Sequence, residues 1–170
     1  YNPKGHKYAR EFSAEPVPSN IYRVGGVVLK KDRVFLSNQD CILTRYTLLD
    51  AHSPTKLRLK PFLAYRNIHS LSRSNIFVDT KYDLVPGGVK MRMYQGYSSL
   101  HFQFSADFEY VHNPDWYYNI EYIREKERGY DYQEDLYVPG FFEMNIKKGQ
   151  SIIVSVSTKE MSPAALGRIF

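Results

Sequence analysis

Apolar side chains recur at every second position over most of this chain, and that period admits strands while excluding long amphipathic helices. Leu100, Phe102 and Phe104 alternate with His101, Gln103 and Ser105, which predicts one apolar face and one wet face. Val89, Met91 and Met93 alternate with Lys90 and Arg92, and Leu57 and Leu59 alternate with Lys56, Arg58 and Lys60. Ile152, Val154 and Val156 alternate with Ser151, Ser155 and Ser157, with Ile153 out of phase. Turn chemistry separates the runs at Lys30-Lys31-Asp32, Pro86-Gly87-Gly88 and Lys147-Lys148-Gly149-Gln150. Several strands joined by short turns predict an all-β fold, an antiparallel β-sandwich. Lys56, Arg58, Lys60, Lys90 and Arg92 fall on the solvent face of strands, where charge discourages edge-to-edge pairing.

Two stretches depart from this pattern. Ser162-Pro163-Ala164-Ala165-Leu166 reads as a helix start, with Ser162 as cap and Pro163 at the first helical position. The stretch from Pro114 to Pro139 alternates poorly and is dense in Tyr, Glu and Asp, so it is expected to be a long irregular loop. Within it, Ile123 to Arg128 suits a turn or two of helix ended by Gly129. A length of 170 residues fits one domain, expected over 1–161, with 162–170 beginning a connecting helix. The opening Tyr1-Asn2-Pro3-Lys4 has neither an initiator Met nor an apolar leader, which suggests a start inside a larger protein.

A net charge of +5 and 15 tyrosines invite a nucleic-acid reading, and the positions of the charges decide against it. Residues 1–100 hold 16 Lys/Arg against 7 Asp/Glu, whereas residues 101–170 hold 7 against 11. Between Tyr94 and Phe142 lie 15 aromatics, in a stretch with 9 acids and 3 bases. Stacking on nucleobases needs aromatics beside cations, because phosphate neutralisation supplies most of the affinity. The segregation points to a neutral partner. Nothing is apolar for the 18 or so residues that a membrane helix needs.

Motifs for catalysis are equally scarce. Cys41 stands alone, in the apparently buried run Cys41-Ile42-Leu43, so neither a disulfide framework nor a reactive thiol is expected. His6, His52, His69, His101 and His112 show no metal-ligand spacing, and Val24-Gly25-Gly26-Val27 is no phosphate loop. No metal, cofactor or catalytic residue is therefore expected. The carboxylates Asp115, Glu121, Glu125, Glu127, Asp131, Glu134 and Asp135 are numerous, but glycoside hydrolysis needs two at a defined separation, which loop spacing does not establish.

The aromatics of the acidic stretch are the more informative candidates. Trp116, Tyr117, Tyr118, Tyr122 and Tyr137 offer apolar ring faces with polar rims, suited to the C–H faces of a pyranose, and Glu134 and Asp135 can bond sugar hydroxyls. The same rings serve equally for packing or for docking a partner domain. Arg66 and His69, in the turn after Phe62-Leu63-Ala64-Tyr65, either line a ligand site or anchor a sharp chain reversal in which Arg66 satisfies loop carbonyls.

Two blocks carry a resemblance. Lys60-Pro61-Phe62-Leu63-Ala64-Tyr65-Arg66-Asn67-Ile68-His69-Ser70-Leu71 resembles a signature of the N-terminal domain of bacterial and archaeal glycogen debranching enzymes. Trp116 to Tyr122, Glu127-Arg128-Gly129 and Glu134 to Gly140 are similar to that domain's second signature. The likeness runs from about Lys7 to the end. It implies a supersandwich domain that binds glycogen or a maltooligosaccharide and precedes an (α/α)6 barrel of amylo-α-1,6-glucosidase type in the same polypeptide. It also implies a cytoplasmic setting and catalytic carboxylates in the barrel rather than here. Asn67 stands where the family usually has Asp, and the family's opening Arg-Tyr-His-Gly segment is missing, so a truncated front is expected. Glycan binding and a purely structural docking role both remain open.

Overall fold

A computed structural model describes residues 4–170. After a 3-10 turn at Gly5–Tyr8 come β1 (Ala9–Ser13), β2 (Ser19–Val24), β3 (Val27–Phe35), β4 (Cys41–Asp50) and β5 (Thr55–Leu59). An irregular crossover leads to β6 (Tyr82–Val85), β7 (Gly88–Met91) and β8 (Leu100–Phe104). Then follow β9 (Glu109–Glu121), α1 (Ile123–Glu127), β10 (Gln133–Ile146), β11 (Ser151–Ser157) and α2 (Pro163–Ile169). The strands form an eight-stranded sheet, in the order β1-β2-β3-β4-β11-β8-β7-β6, and a three-stranded sheet, β5-β10-β9. Every strand pairing is antiparallel.

Local chemistry explains the tight hairpins. Val24 pairs with Val27, so Gly25 and Gly26 form a two-residue turn with φ of +52° and +84°, the twist that matches antiparallel strands. Pro86-Gly87 turns the chain between the paired Val85 and Gly88, with Gly87 at φ +61°. The expected turn at Lys147–Gln150 is likewise present, between β10 and β11, with Gly149 at φ +81°. Lys30-Lys31-Asp32, by contrast, is no turn. These residues lie inside β3, where buried Asp32 receives Arg45 Nε and Nη2 at 3.0 and 2.9 Å and meets Lys30 at 3.1 Å. A cross-strand partner makes the buried charge tolerable, and sequence offers no sign of it.

The expected antiparallel sandwich is present, with unequal layers. Phe102 and Phe104 of the large sheet meet Phe142 of the small one at ring separations of 5.6 and 4.8 Å. Leu48, Met144, Ile152 and Val154 complete this core, each removed from water at roughly 1.5–3 kcal/mol per large side chain. The alternations at 89–93, 100–104 and 152–156 place their apolar members in it as expected.

The other face of the large sheet is not uniformly wet. Gln103, Ser155 and Ser157 are buried there because α2 folds back across it. Leu166 of α2, fully buried, joins Cys41, Leu43 and Ile153 in a second cluster, which accounts for Ile153 being out of phase. Gln103 donates to the carbonyls of Pro86 and Met161 and accepts from Met161 N–H, closing the orphan polar groups beneath the helix. The helix begins at Pro163 as expected, although the Ser162 side chain makes no capping bond.

The segment 114–139 is the main correction. Most of it is strand: β9 and β10 form a long hairpin, with α1 and Gly129 (φ +77°) at its tip. Two irregularities, between Glu134 and Leu136 and between Val138 and Gly140, break the period of two. Pro114 is accommodated because β9 is an edge strand, and Pro139 because it sits at the second irregularity. Gly140 follows at φ +150°, where a Cβ would lie 2.1 Å from the Val111 carbonyl oxygen.

Candidate functional site

Beyond β5 the chain does not leave the small sheet but continues beside β10. Leu63 and Tyr137 exchange both backbone bonds, at 2.8 and 3.1 Å, and Asp135 N–H donates to Ser72 C=O at 2.9 Å. This irregular continuation satisfies the free edge of β10 and brings the first signature block against the second. Tyr65 turns the chain at φ +47°, a conformation costly for a residue with a Cβ. Its hydroxyl, donating to the carbonyls of Met91 and Ser98 at 3.2 and 3.1 Å, pins the turn.

Glu134 is the junction of the two blocks. Its side chain is fully buried, and Arg66 Nε donates to Oε1 while Nη2 donates to Oε2 at 3.2 Å. Ser72 N–H and Oγ–H each donate to Oε1 at 3.0 Å, and the Tyr122 hydroxyl donates to Oε2 at 2.5 Å. Burial alone would raise the carboxyl pKa, but the bonds from Arg66, Tyr122 and Ser72 outweigh it and hold the group down at about 2. The Tyr122 hydroxyl is pushed up in turn, by burial and by the carboxylate. Arg66 Nη1 also donates to the carbonyls of Asn67 and Ile68, both at 3.1 Å, and Asn67 Oδ1 accepts His69 N–H at 2.9 Å. Arg66 thus anchors the chain reversal through its loop carbonyls while also reaching the concavity described next.

Asp135 works on the neighbouring loops. It accepts from the N–H groups of Ser74 at 3.0 Å and Asn119 at 2.8 Å, with Arg73 at 3.8 Å. Burial opposes its ionisation, yet these bonds and Arg73 bring its pKa below the usual carboxylate range. Asn119 takes φ +55° opposite the first strand irregularity, so the Asp135 carboxylate holds the bend in β9.

Between the 66–71 turn and the 122–131 helix and turn lies an open concavity of about 830 Å³. Arg66, Ile68, His69, Tyr122, Tyr130 and Asp131 shape its wall, together with Glu125, which is paired to Arg128 at 3.3 Å. Arg66 is neutralised by Glu134, so the open groups are an exposed tyrosine ring, a carboxylate, an imidazole and backbone polar atoms. Such a lining accepts and donates hydrogen bonds without a net cationic pull.

The nine sequence candidates divide by position. Arg66, His69 and Tyr122 line the concavity, and Glu134 and Asp135 lie beneath it as buried braces. Tyr137 belongs to the core at 2% exposure, and half-buried Trp116 packs on it at 5.5 Å. Tyr117 stands edge-on to Phe62 at 4.7 Å and accepts from Lys60 Nζ at 3.0 Å. Tyr118 is open to solvent at 61%. Among the described residues no ring pair joins Trp116, Tyr117, Tyr118 and Tyr122 into one platform. Sequence reasoning did not select Tyr130, Asp131, Glu125, Ile68 or Ser72. Tyr130 and Asp131 carry a signal in retrospect, since they follow the helix stop at Gly129 and so emerge from the hairpin tip. Among the described residues no cluster of three or more His, Cys, Asp or Glu side chains is placed to hold a metal ion.

Fold and site together define a two-sheet antiparallel β domain whose two signature blocks meet across a buried Arg–Glu pair. The family model for the N-terminal domain of glycogen debranching enzymes matches residues 1–153, and the chain belongs to that family. The comparison with curated proteins gave no significant match. Among the described residues no helix is long and apolar enough to cross a membrane.

Proposed function

We propose that this domain holds an α-glucan, glycogen or a maltooligosaccharide, in the concavity between the 66–71 turn and the 122–131 hairpin tip. The observation that carries the reading is the lining itself: an exposed ring at Tyr130 beside Asp131, His69 and Arg66, in an opening large enough for sugar rings. The ring of Tyr130 offers an apolar face for a pyranose, and the polar groups around it suit hydroxyls. The walls are preorganised, because Glu134 ties Arg66 and Ser72 on one side to Tyr122 on the other. On this reading residues 1–161 form a non-catalytic accessory domain, and 162–170 lead toward an (α/α)6 glucosidase barrel of the same polypeptide. The bound glucan would lie at the rim of that barrel's active site.

An open site with one stacking ring fits weak binding, about 1 mM or about −4 kcal/mol. Native electrophoresis in gels containing glycogen tests the reading. Wild type should be retarded as glycogen is added, and Tyr130→Ala should lose most of that retardation while keeping its circular dichroism. Identical migration of the two proteins at every glycogen concentration removes the proposal.

A second reading is favoured by a different observation. Ile68, Ile76 and Phe77 of the crossover are 83, 91 and 80% exposed, a bare apolar run beside the concavity. These residues suit docking on a partner domain without any glycan contact. Unretarded migration of this chain, with loss of kcat/KM on Phe77→Asp in the longer enzyme, would favour docking over glycan binding.

A further inference from the structure

The two layers of the sandwich differ in width, and the difference exposes a face built as an interior. The inner face can be followed along rows of paired residues in the large sheet. One row runs Phe102, Val156, Ile42 and Phe35, and exposure along it rises from 4% at Phe102 to 72% at Phe35. The next runs Ile152, Tyr46, Lys31, Asn20 and Phe12, from full burial to 67%. The small sheet ends at β5, so the inner face of β3, β2 and β1 overhangs it.

Three features of this overhang point to one kind of occupant. First, β5 is the last strand of its sheet, and its outer edge has no strand partner among the described residues. Second, an opening of about 220 Å³ lies beside that edge, between Leu59, Tyr46, Phe142 and Val156. Third, the floor carries unbalanced positive charge. Lys31 lies 5.5 Å from the Tyr46 ring centre, and Arg33 donates to Asn20 Oδ1 at 2.7 Å. Asp32 and its partners Lys30 and Arg45 are in the alternate register, facing the other way, and among the described residues neither Lys31 nor Arg33 meets a carboxylate. Burial and the neighbouring Arg33 pull the Lys31 pKa below its ordinary value, the sign of a cation without a counter-ion.

We propose that the overhang docks an extended partner peptide with alternating apolar and acidic side chains, which pairs with β5 as a fourth strand of the small sheet. Its backbone satisfies the open edge, its apolar side chains fill the opening, and its acids reach Lys31 and Arg33. A second copy of this chain is a poor occupant, since β5 carries Lys56 and Arg58 and two such edges would oppose like charges. Residues 4–170 are placed elsewhere, and the three before them are too few to span β5.

Fluorescence anisotropy with two labelled peptides of about nine residues, one alternating Val with Glu and one Val with Lys, tests the proposal. The wild-type chain should bind the Glu peptide saturably and about tenfold or more tightly than the Lys peptide. The Lys31→Glu/Arg33→Glu double variant should reverse that preference, a reversal that a misfolded variant would not show. Methylating alternate backbone nitrogens of the Glu peptide should abolish binding. The proposal is overturned by absence of saturable binding, by an unchanged preference in the double variant, or by an oligonucleotide competing as well as the peptide. Self-association of the chain that masks the site in sedimentation would overturn it too.

Discussion

Replacing Glu134 by Gln isolates the one charge on which the site's geometry depends. Gln has the shape of the protonated acid, so the variant reports the ionised carboxylate against its neutral form at nearly constant volume. The native carboxyl is held at about 2, against an ordinary 4.5. At ~1.4 kcal/mol per pH unit, that difference corresponds to about 3 kcal/mol. This is an upper figure, because the Arg66 side chain retains 22% exposure and is partly screened. It agrees with the roughly 3–5 kcal/mol lost when one partner of a buried ion pair is removed. Because the folded pKa is depressed, the stabilisation is fully present above about pH 4.5 and is lost as pH falls toward 2. Urea unfolding should therefore show Glu134→Gln less stable by about 3 kcal/mol at pH 7, with the gap narrowed to about half at pH 3. A gap below about 1 kcal/mol at pH 7, or one that stays constant from pH 7 to 3, refutes the reasoning.

Two other substitutions probe the frame around the site. Gly140→Ala places a Cβ 2.1 Å from the Val111 carbonyl oxygen at φ +150°, and should cost more than about 2 kcal/mol in urea unfolding; an unchanged midpoint would show that β9 and β10 relax freely there. Gln103→Leu strands the backbone groups of Met161, costing about 1–3 kcal/mol, and should speed amide exchange in α2, with unaltered exchange arguing against the brace.

Much of the fold was legible because strands with one buried face write their period into the sequence. The alternations at 57–59, 89–93 and 152–156 needed no tertiary knowledge, nor did the stop at Gly129 and the helix start at Pro163. What was not legible depends on partners distant in sequence. Asp32 reads as a turn residue until Arg45 is placed across the strands. Gln103 and Ser155 read as wet until α2 covers them. The hairpin of β9 and β10 reads as loop because two irregularities shift its phase and two prolines sit where an edge and a bulge tolerate them. For the site, Arg66 was legible as an anchor of loop carbonyls, but its 68-residue span to Glu134 was not. Composition marked the tyrosines and could not divide them, since Tyr137 in the core and Tyr130 at the surface differ only in strand register and hairpin position.

The central claim is that two blocks distant in sequence make one glucan site. Hydrogen exchange of the chain with and without saturating maltoheptaose tests it directly. Protection should appear together in residues 66–72 and 122–131, and both should lose it in Tyr130→Ala. Protection confined to one block, placed elsewhere on the sandwich, or absent at saturating glucan would contradict the account.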